Sequence, residues 1–181
     1  MYTELLRKYT QGNSRLLHIL TGHSEAVRDK ALEIARVRML DVDLLFVEEA
    51  AMLHDIGVVR VDAPSISCFG TEPYICHGIE GRAILESEGL PRHALVCERH
   101  TGSGISAWQI VERNLPLPHR DMLPLSLEEK LICYADKFFS KSRDLRSEKP
   151  VERIMEQMKA HGPEAYDRFM ALHQIFKIPV R

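Results

Sequence analysis

The sequence predicts an all-α fold, a helical bundle. Three observations carry that expectation. Apolar residues recur at helical spacing in segment after segment, Gly and Pro gather in two long stretches, and no apolar–polar alternation is long enough to support a sheet. In the first predicted helix His23, Val27, Ala31 and Ile34 stand at i, i+4, i+8 and i+11. In the second, capped by Asp41 or Asp43, Val47, Ala51 and His54 run at i, i+4 and i+7, and Gly57 marks the end, glycine being favoured just past a helix C-terminus. His77, Gly81, Ile84 and Leu85 repeat the spacing in the third. Gly89-Leu-Pro91 then gives a glycine stop and a proline start for the fourth, where His93, Val96, Cys97 and His100 share a face. Ser126 with Glu129 forms a capping-box pattern ahead of the fifth, which aligns Ile132, Ala135, Asp136 and Phe139. Pro150 and Pro163 open two C-terminal helices. Residues 58–74 and 101–124 are rich in breakers and read as loops, suited to be lids or substrate walls, or simply connectors over the bundle end.

A chain of 181 residues fits one domain and can bury roughly 70% of the surface its unfolded form exposes. The expected division is a core over about 15–144, with helices in 150–178 completing the bundle or, alternatively, offering a dimer surface. A formal net charge of -2 gives no global attraction to nucleic acid or anionic membrane, so any hold on a phosphate must be local. Charge in Met1 to Lys8 and the lack of a long apolar run predict a cytoplasmic protein without a membrane span. Cysteines at 68, 76, 97 and 133 have no C-x-x-C pairing; Cys97 and Cys133 read as small core residues.

Six side chains able to hold a metal fall on these apolar stripes: His23, His54, Asp55, His77, His100 and Asp136. A buried carboxylate without a partner costs several kcal/mol, about what a whole domain has to spare. Inward Asp55 and Asp136 therefore call for compensation, which a divalent ion supplies. The other histidines carry weaker signals: His18 and His93 read as structural or surface residues, His119 as a possible loop contact to substrate, and His161 and His173 as chemically silent.

The order His23, then His54-Asp55, then Asp136 in Tyr134-Ala-Asp-Lys-Phe138 resembles the HD superfamily of metal-dependent phosphohydrolases, over roughly residues 15–144. His77 in Cys76-His-Gly-Ile-Glu-Gly81 and His100 in Arg99-His-Thr-Gly102 are similar to the further ligands of the subgroup that holds two metals. His54-Asp55-Ile56-Gly57 matches the His-Asp-Ile-Gly form, although Val58 stands where some relatives have lysine. The Gly-Tyr-Pro signature of the cyclic dinucleotide phosphodiesterases is missing, whereas Arg99 to Gly102 with Tyr134 to Lys137 resembles the small diadenosine tetraphosphate hydrolases.

The resemblance implies an HD-domain bundle with His23, His54, Asp55 and Asp136 on one ion, and Asp55, His77 and His100 on a second. Iron or manganese is the favoured pair, with zinc, nickel, cobalt or magnesium also compatible with such donors. The implied activity is hydrolysis of a phosphoester or phosphoanhydride in a nucleotide or related small metabolite, by hydroxide that the metal generates near neutral pH. Asp55 and Lys137 are the expected catalytic residues, and Arg99, Thr101, Lys141 and Arg143 are expected to bind substrate; Arg146 and Lys149 read as a solvated face. The expected partner is a small phosphorylated molecule and not a nucleic-acid polymer or a membrane, with the chain a monomer or homodimer. Two alternatives stay open: a mixed-valent diiron oxygenase with the same ligand order, and a metal-holding domain without catalysis.

Overall fold

The computed structural model describes residues 1–141 and 144–179. Among them are nine α-helices: α1 (Tyr2–Thr10), α2 (Ser14–Val37), α3 (Leu44–Leu53), α4 (His77–Ser87), α5 (Pro91–Arg99), α6 (Ala107–Glu112), α7 (Leu127–Asp136), α8 (Val151–Ala160) and α9 (Pro163–Phe176). None of the described helices is long and apolar enough to cross a membrane. The fold is predominantly α-helical, as the periodicity predicts.

Helix starts follow local capping chemistry. Asn13 accepts from the Leu16 amide at 3.0 Å to open α2, and Asp43, one of the two candidates, accepts from the Phe46 amide at 3.0 Å to open α3. Gly89 adopts φ +75° between α4 and α5, and Pro91 begins α5, in the expected order. The box expected at Ser126 is only half made. Ser126 accepts from the Glu129 amide at 3.1 Å, but the Glu129 carboxylate takes the Leu125 amide and Arg99 instead. A complete box occurs at Ser106 and Gln109, where the density of Gly and Pro predicts only loop, and it opens α6 inside 101–124. The other expected loop, 58–74, contains a 3-10 turn at Pro64–Ile66 and a two-residue antiparallel ladder, β1 (Asp62–Ala63) with β2 (Cys68–Phe69), in register Asp62 to Phe69, and further 3-10 turns at Ile56–Arg60 and Tyr74–Cys76 straddle its two ends.

Gly57 has a different role from the one expected. α3 already ends at Leu53, and Gly57 lies within the 3-10 turn. A Cβ there would come within 2.0 Å of the His77 carbonyl oxygen and 2.3 Å of the Gly81 amide nitrogen. The residue is glycine because the turn after Asp55 presses its backbone directly on α4.

Two large apolar cores meet along α2 and α3. One takes Val27, Ala31 and Ile34 from the second half of α2, Val47 and Ala51 from α3, Ile132 and Ala135 from α7, and Ile154, Phe169 and Phe176 from the C-terminal helices. The other takes Leu16 and Leu20 from the first half of α2, Met52 and Leu53 from α3, Ile56, and residues of α1, α4 and α5. His23 stands between Leu20 and Val27 where α2 passes from one core to the other. The polar centre thus occupies the seam between the two cores.

Candidate metal centre

Most of the centre is built from helix ends. His23 is in the body of α2, but His54 and Asp55 directly follow α3, His77 opens α4, His100 follows α5, and Asp136 is the last residue of α7. In three cases the imidazole bonds back to its own chain. Nδ1 of His54 donates to the Ala51 carbonyl at 2.7 Å, Nδ1 of His77 to the Tyr74 carbonyl at 2.7 Å, and Nδ1 of His100 to the Cys97 carbonyl at 2.8 Å. A carbonyl only accepts, so the proton sits on Nδ1, and Nε2 is the atom each ring presents to the centre.

Asp55 lies in the middle. Its Oδ2 is 3.2 Å from His23 Nε2 and 3.1 Å from His54 Nε2, and its Oδ1 is 3.4 Å from His100 Nε2 and 3.7 Å from His77 Nε2. Asp136 Oδ1 is 3.0 Å from His23 Nε2 and 3.5 Å from His54 Nε2. His77 and His100 approach Nε2 to Nε2 at 3.2 Å. The donors fall into two groups, His23, His54, Asp55 and Asp136, and Asp55, His77 and His100, each with its ligand atoms within 4.8 Å of one another. Ligands bound about 2.1 Å from one ion lie roughly 3 Å apart when at right angles, so this spacing fits divalent metal. The buried atoms agree. His54 Nε2 and both Asp55 oxygens have no hydrogen-bond partner of proper geometry, and an ion would satisfy them together.

Two lysines lie against the carboxylates. Lys141 Nζ is 2.5 Å from Asp55 Oδ2 and 3.2 Å from the Tyr74 hydroxyl. Lys137 Nζ is 2.7 Å from Asp136 Oδ2 and donates to the His100 carbonyl at 3.2 Å. Burial alone would raise both carboxyl pKa values, but Lys141 and His54 around Asp55, and Lys137 and His23 around Asp136, hold them well below the usual range. Burial would likewise lower both lysines, and the facing carboxylates raise them instead, so both remain cationic. Burial together with the neighbouring His100 pushes His77 down to about 3, and burial also lowers His100, which keeps both rings neutral. At His54 burial opposes charge, but Asp55 and Asp136 prevail and raise it to about 9.

His54 therefore carries a proton at neutral pH in the metal-free protein, and a metal must displace it. The stability this proton confers is complete below the ordinary value of 6.5 and is lost as pH rises through about 9. Addition of a divalent ion to weakly buffered metal-free protein at pH 7.5 is expected to acidify the solution, with less proton release above pH 9. Metal uptake with no proton release at pH 7.5 would contradict the protonated His54.

The remaining expected residues divide. Thr101 Oγ1 lies 3.4 Å from His77 Nε2, beside the centre. Arg99, expected to bind substrate, is turned away: its Nη1 lies 3.1 and 3.0 Å from the two Glu129 oxygens, where it ties α5 to α7. The nearby acidic partner decides its orientation. Arg143 lies outside the described residues. His93 is a supporting residue, edge-on to Phe46 at 4.9 Å and 3.4 Å from Glu49. His173 Nδ1 is hydrogen-bonded with the Tyr134 hydroxyl at 2.8 Å, within an aromatic group. Tyr74 was not legible as a site residue, since an aromatic in a breaker-rich loop carries no chemical pattern. Its ring lies 4.9 Å from that of His77 while its hydroxyl meets Lys141. A cleft of about 830 Å³ opens on this side, with Tyr74 and Lys141 in its wall.

Residues 20–140 match the HD domain family. The chain belongs to the HD family. Among curated relatives of this HD protein, an uncharacterised protein of Methanocaldococcus jannaschii is 30% identical over 78% of the chain and 78% of its own length. The tRNA (cytidine(56)-2'-O)-methyltransferase of Thermoplasma volcanium is 29% identical over 94% of the chain, and that of Picrophilus torridus is 31% identical over 69%. The match spans only 44% and 33% of those two methyltransferases. No solved structure matches the chain significantly.

Proposed function

We propose that this HD protein is a phosphohydrolase that cleaves a phosphoester or phosphoanhydride of a nucleotide or related small metabolite with two divalent ions. The observation that carries this reading is Asp55, shared by two donor groups and flanked by Lys141 on the side where the cleft opens. In this reading His23, His54, Asp55 and Asp136 would hold one ion and Asp55, His77 and His100 the other, with Asp55 common to both sets. The His54 to Gly57 motif supports reading the chain as the His-Asp-Ile-Gly type, and the Arg99 to Gly102 and Tyr134 to Lys137 segments favour a substrate related to dinucleoside polyphosphates.

When bound, the ions would polarise a phosphoryl oxygen and acidify a water molecule. The chain's own residues do the rest. Lys141, cationic and next to Tyr74, meets the incoming phosphate and offsets charge that grows as water attacks phosphorus and the bond to the leaving oxygen breaks. Thr101 offers a hydroxyl beside His77. Lys137 is a positioning residue in this scheme: it fixes the Asp136 carboxylate and the His100 backbone from behind. The three Nδ1 to carbonyl bonds set ring orientation before any ion arrives.

The methyltransferase names belong to proteins of which this chain matches less than half. Methyl transfer has no use for two fused sets of imidazole and carboxylate donors, so we assign that activity to the unmatched part of those proteins. The test is an assay of iron- or manganese-loaded protein against nucleotides and dinucleoside polyphosphates. Release of phosphate from nucleotides, or of mononucleotides from dinucleoside polyphosphates, that needs no oxygen and stops on chelation is expected; oxygen consumption with neither product would transfer the protein to the diiron oxygenases.

A further inference from the structure

The cleft beside the centre has a second end that the hydrolytic site does not use. Lys141 and Tyr74 form the wall nearest Asp55. Across the cleft α2 contributes Arg15, His18 and Ile19, which at i, i+3 and i+4 share one side of its first turns. Ile66 and Leu145 line the apolar stretch, and Leu145 is seated on α2 at Gly22, where a Cβ would come within 2.7 Å of its Cδ1. Leu145 is thereby held in place as part of the cleft wall.

Arg15 and His18 are exposed, and neither makes an ion pair or hydrogen bond with another described residue. Arg28, Arg60, Arg82, Arg92, Arg99, Arg120, Arg146 and Arg168 each meet a carboxylate. Arg7, Arg36, Arg38 and Arg153 share the unpaired state of Arg15, but among the described arginines only Arg15 lines this cleft. An unpaired guanidinium and an imidazole on the same cleft face form a natural fork for a phosphate, which Arg grips through two parallel N–H donors. In the phosphohydrolase reading Lys141 meets one phosphate at the near wall, and the apolar residues between, Ile66 and Leu145, suit a nucleoside or similar body.

We propose that Arg15 and His18 form a distal anion subsite, so that the substrate carries two phosphate-bearing parts: one at the metal centre, the other at the first turns of α2. This rests on the phosphohydrolase reading for the near end, and adds that a ligand with a single phosphate leaves half of the cleft unengaged. A cleft of about 830 Å³ is large enough to hold such an extended ligand.

The test compares wild type with Arg15→Gln, and with an Arg15→Gln, His18→Gln double variant, in metal-loaded full chain. Equilibrium dialysis measures binding of a nucleoside 5'-monophosphate and of the matching nucleoside 3',5'-bisphosphate, without any demand for turnover. The bisphosphate is expected to bind wild type at least about ten-fold tighter than the monophosphate, the scale of one charge-assisted hydrogen bond. The variants are expected to lose most of that preference while keeping the same metal content. Equal affinity of wild type for the two ligands, or a preference that survives in the double variant, would overturn the subsite. Because binding is read directly, loss of the preference in the variants without hydrolysis of any nucleotide or dinucleoside polyphosphate by wild type would support the subsite and count against the phosphohydrolase reading.

Discussion

Replacement of Asp55 by alanine is expected to empty both halves of the centre and to reduce phosphate release to background. Asp55 is the only described residue that belongs to both donor groups, so its loss takes a ligand from each. Removal of a mere outer partner of a ligand costs roughly 10- to 100-fold in metal affinity or activity, and removal of a shared ligand is expected to exceed the top of that range. The same change strands Lys141, whose ammonium is buried beside Asp55, and breaking such a pair costs about 3–5 kcal/mol. Asp55→Asn separates the two effects. It keeps the side-chain volume and a polar oxygen near Lys141, and is expected to remain folded by circular dichroism while its metal content falls. An Asp55→Asn protein that retains two ions and full turnover would show that the ions are held elsewhere.

Gly57→Ala is expected to damage the fold and the centre together. The added methyl would meet the His77 carbonyl oxygen at 2.0 Å and the Gly81 backbone at 2.3 and 2.8 Å, and none of these is the mobile end of a side chain. Either the 3-10 turn moves off α4 or the chain does not fold. Overpacking of this kind costs typically about 1–3 kcal/mol, and contact with backbone places Gly57 at the upper end or beyond. Any movement also separates His77 from Asp55, because the clashing carbonyl belongs to His77 itself. Thermal unfolding and metal content should therefore fall in parallel. Gly89→Ala is the control: it has φ +75° but nothing within 4 Å, so it should show only the backbone strain of about 1–2 kcal/mol and leave metal content intact. A Gly57→Ala protein with wild-type melting would refute the close approach.

The helical core was legible because burial imposes a period on sequence. His23, Val27, Ala31 and Ile34 are all buried on one side of α2, as their spacing requires. The donors were legible for the same reason, since each is a polar residue on an otherwise apolar stripe. Their placement at helix ends was less so: His54, His77 and His100 continue the helical period but bond to carbonyls at or next to helix termini, and a periodic pattern does not mark where a helix stops. Gly57 illustrates the limit, because a glycine required by contact with α4 is indistinguishable in sequence from one that ends a helix. Arg99 illustrates another. Its position beside His100 suggested substrate, but Glu129, thirty positions later, claims the guanidinium. Long-range pairing of this kind leaves no local trace. The capping box at Ser106 and Gln109 was present in the sequence and was masked by the surrounding Gly and Pro.

The most direct test of the central claim is the number of divalent ions per chain after anaerobic reconstitution, measured on the same sample that is assayed for phosphate release from nucleotides. Two ions per chain with phosphate release, both lost in Asp55→Asn, is the predicted result. A folded protein that binds no divalent ion tightly would contradict the account, because the two donor groups that share Asp55 would then hold nothing.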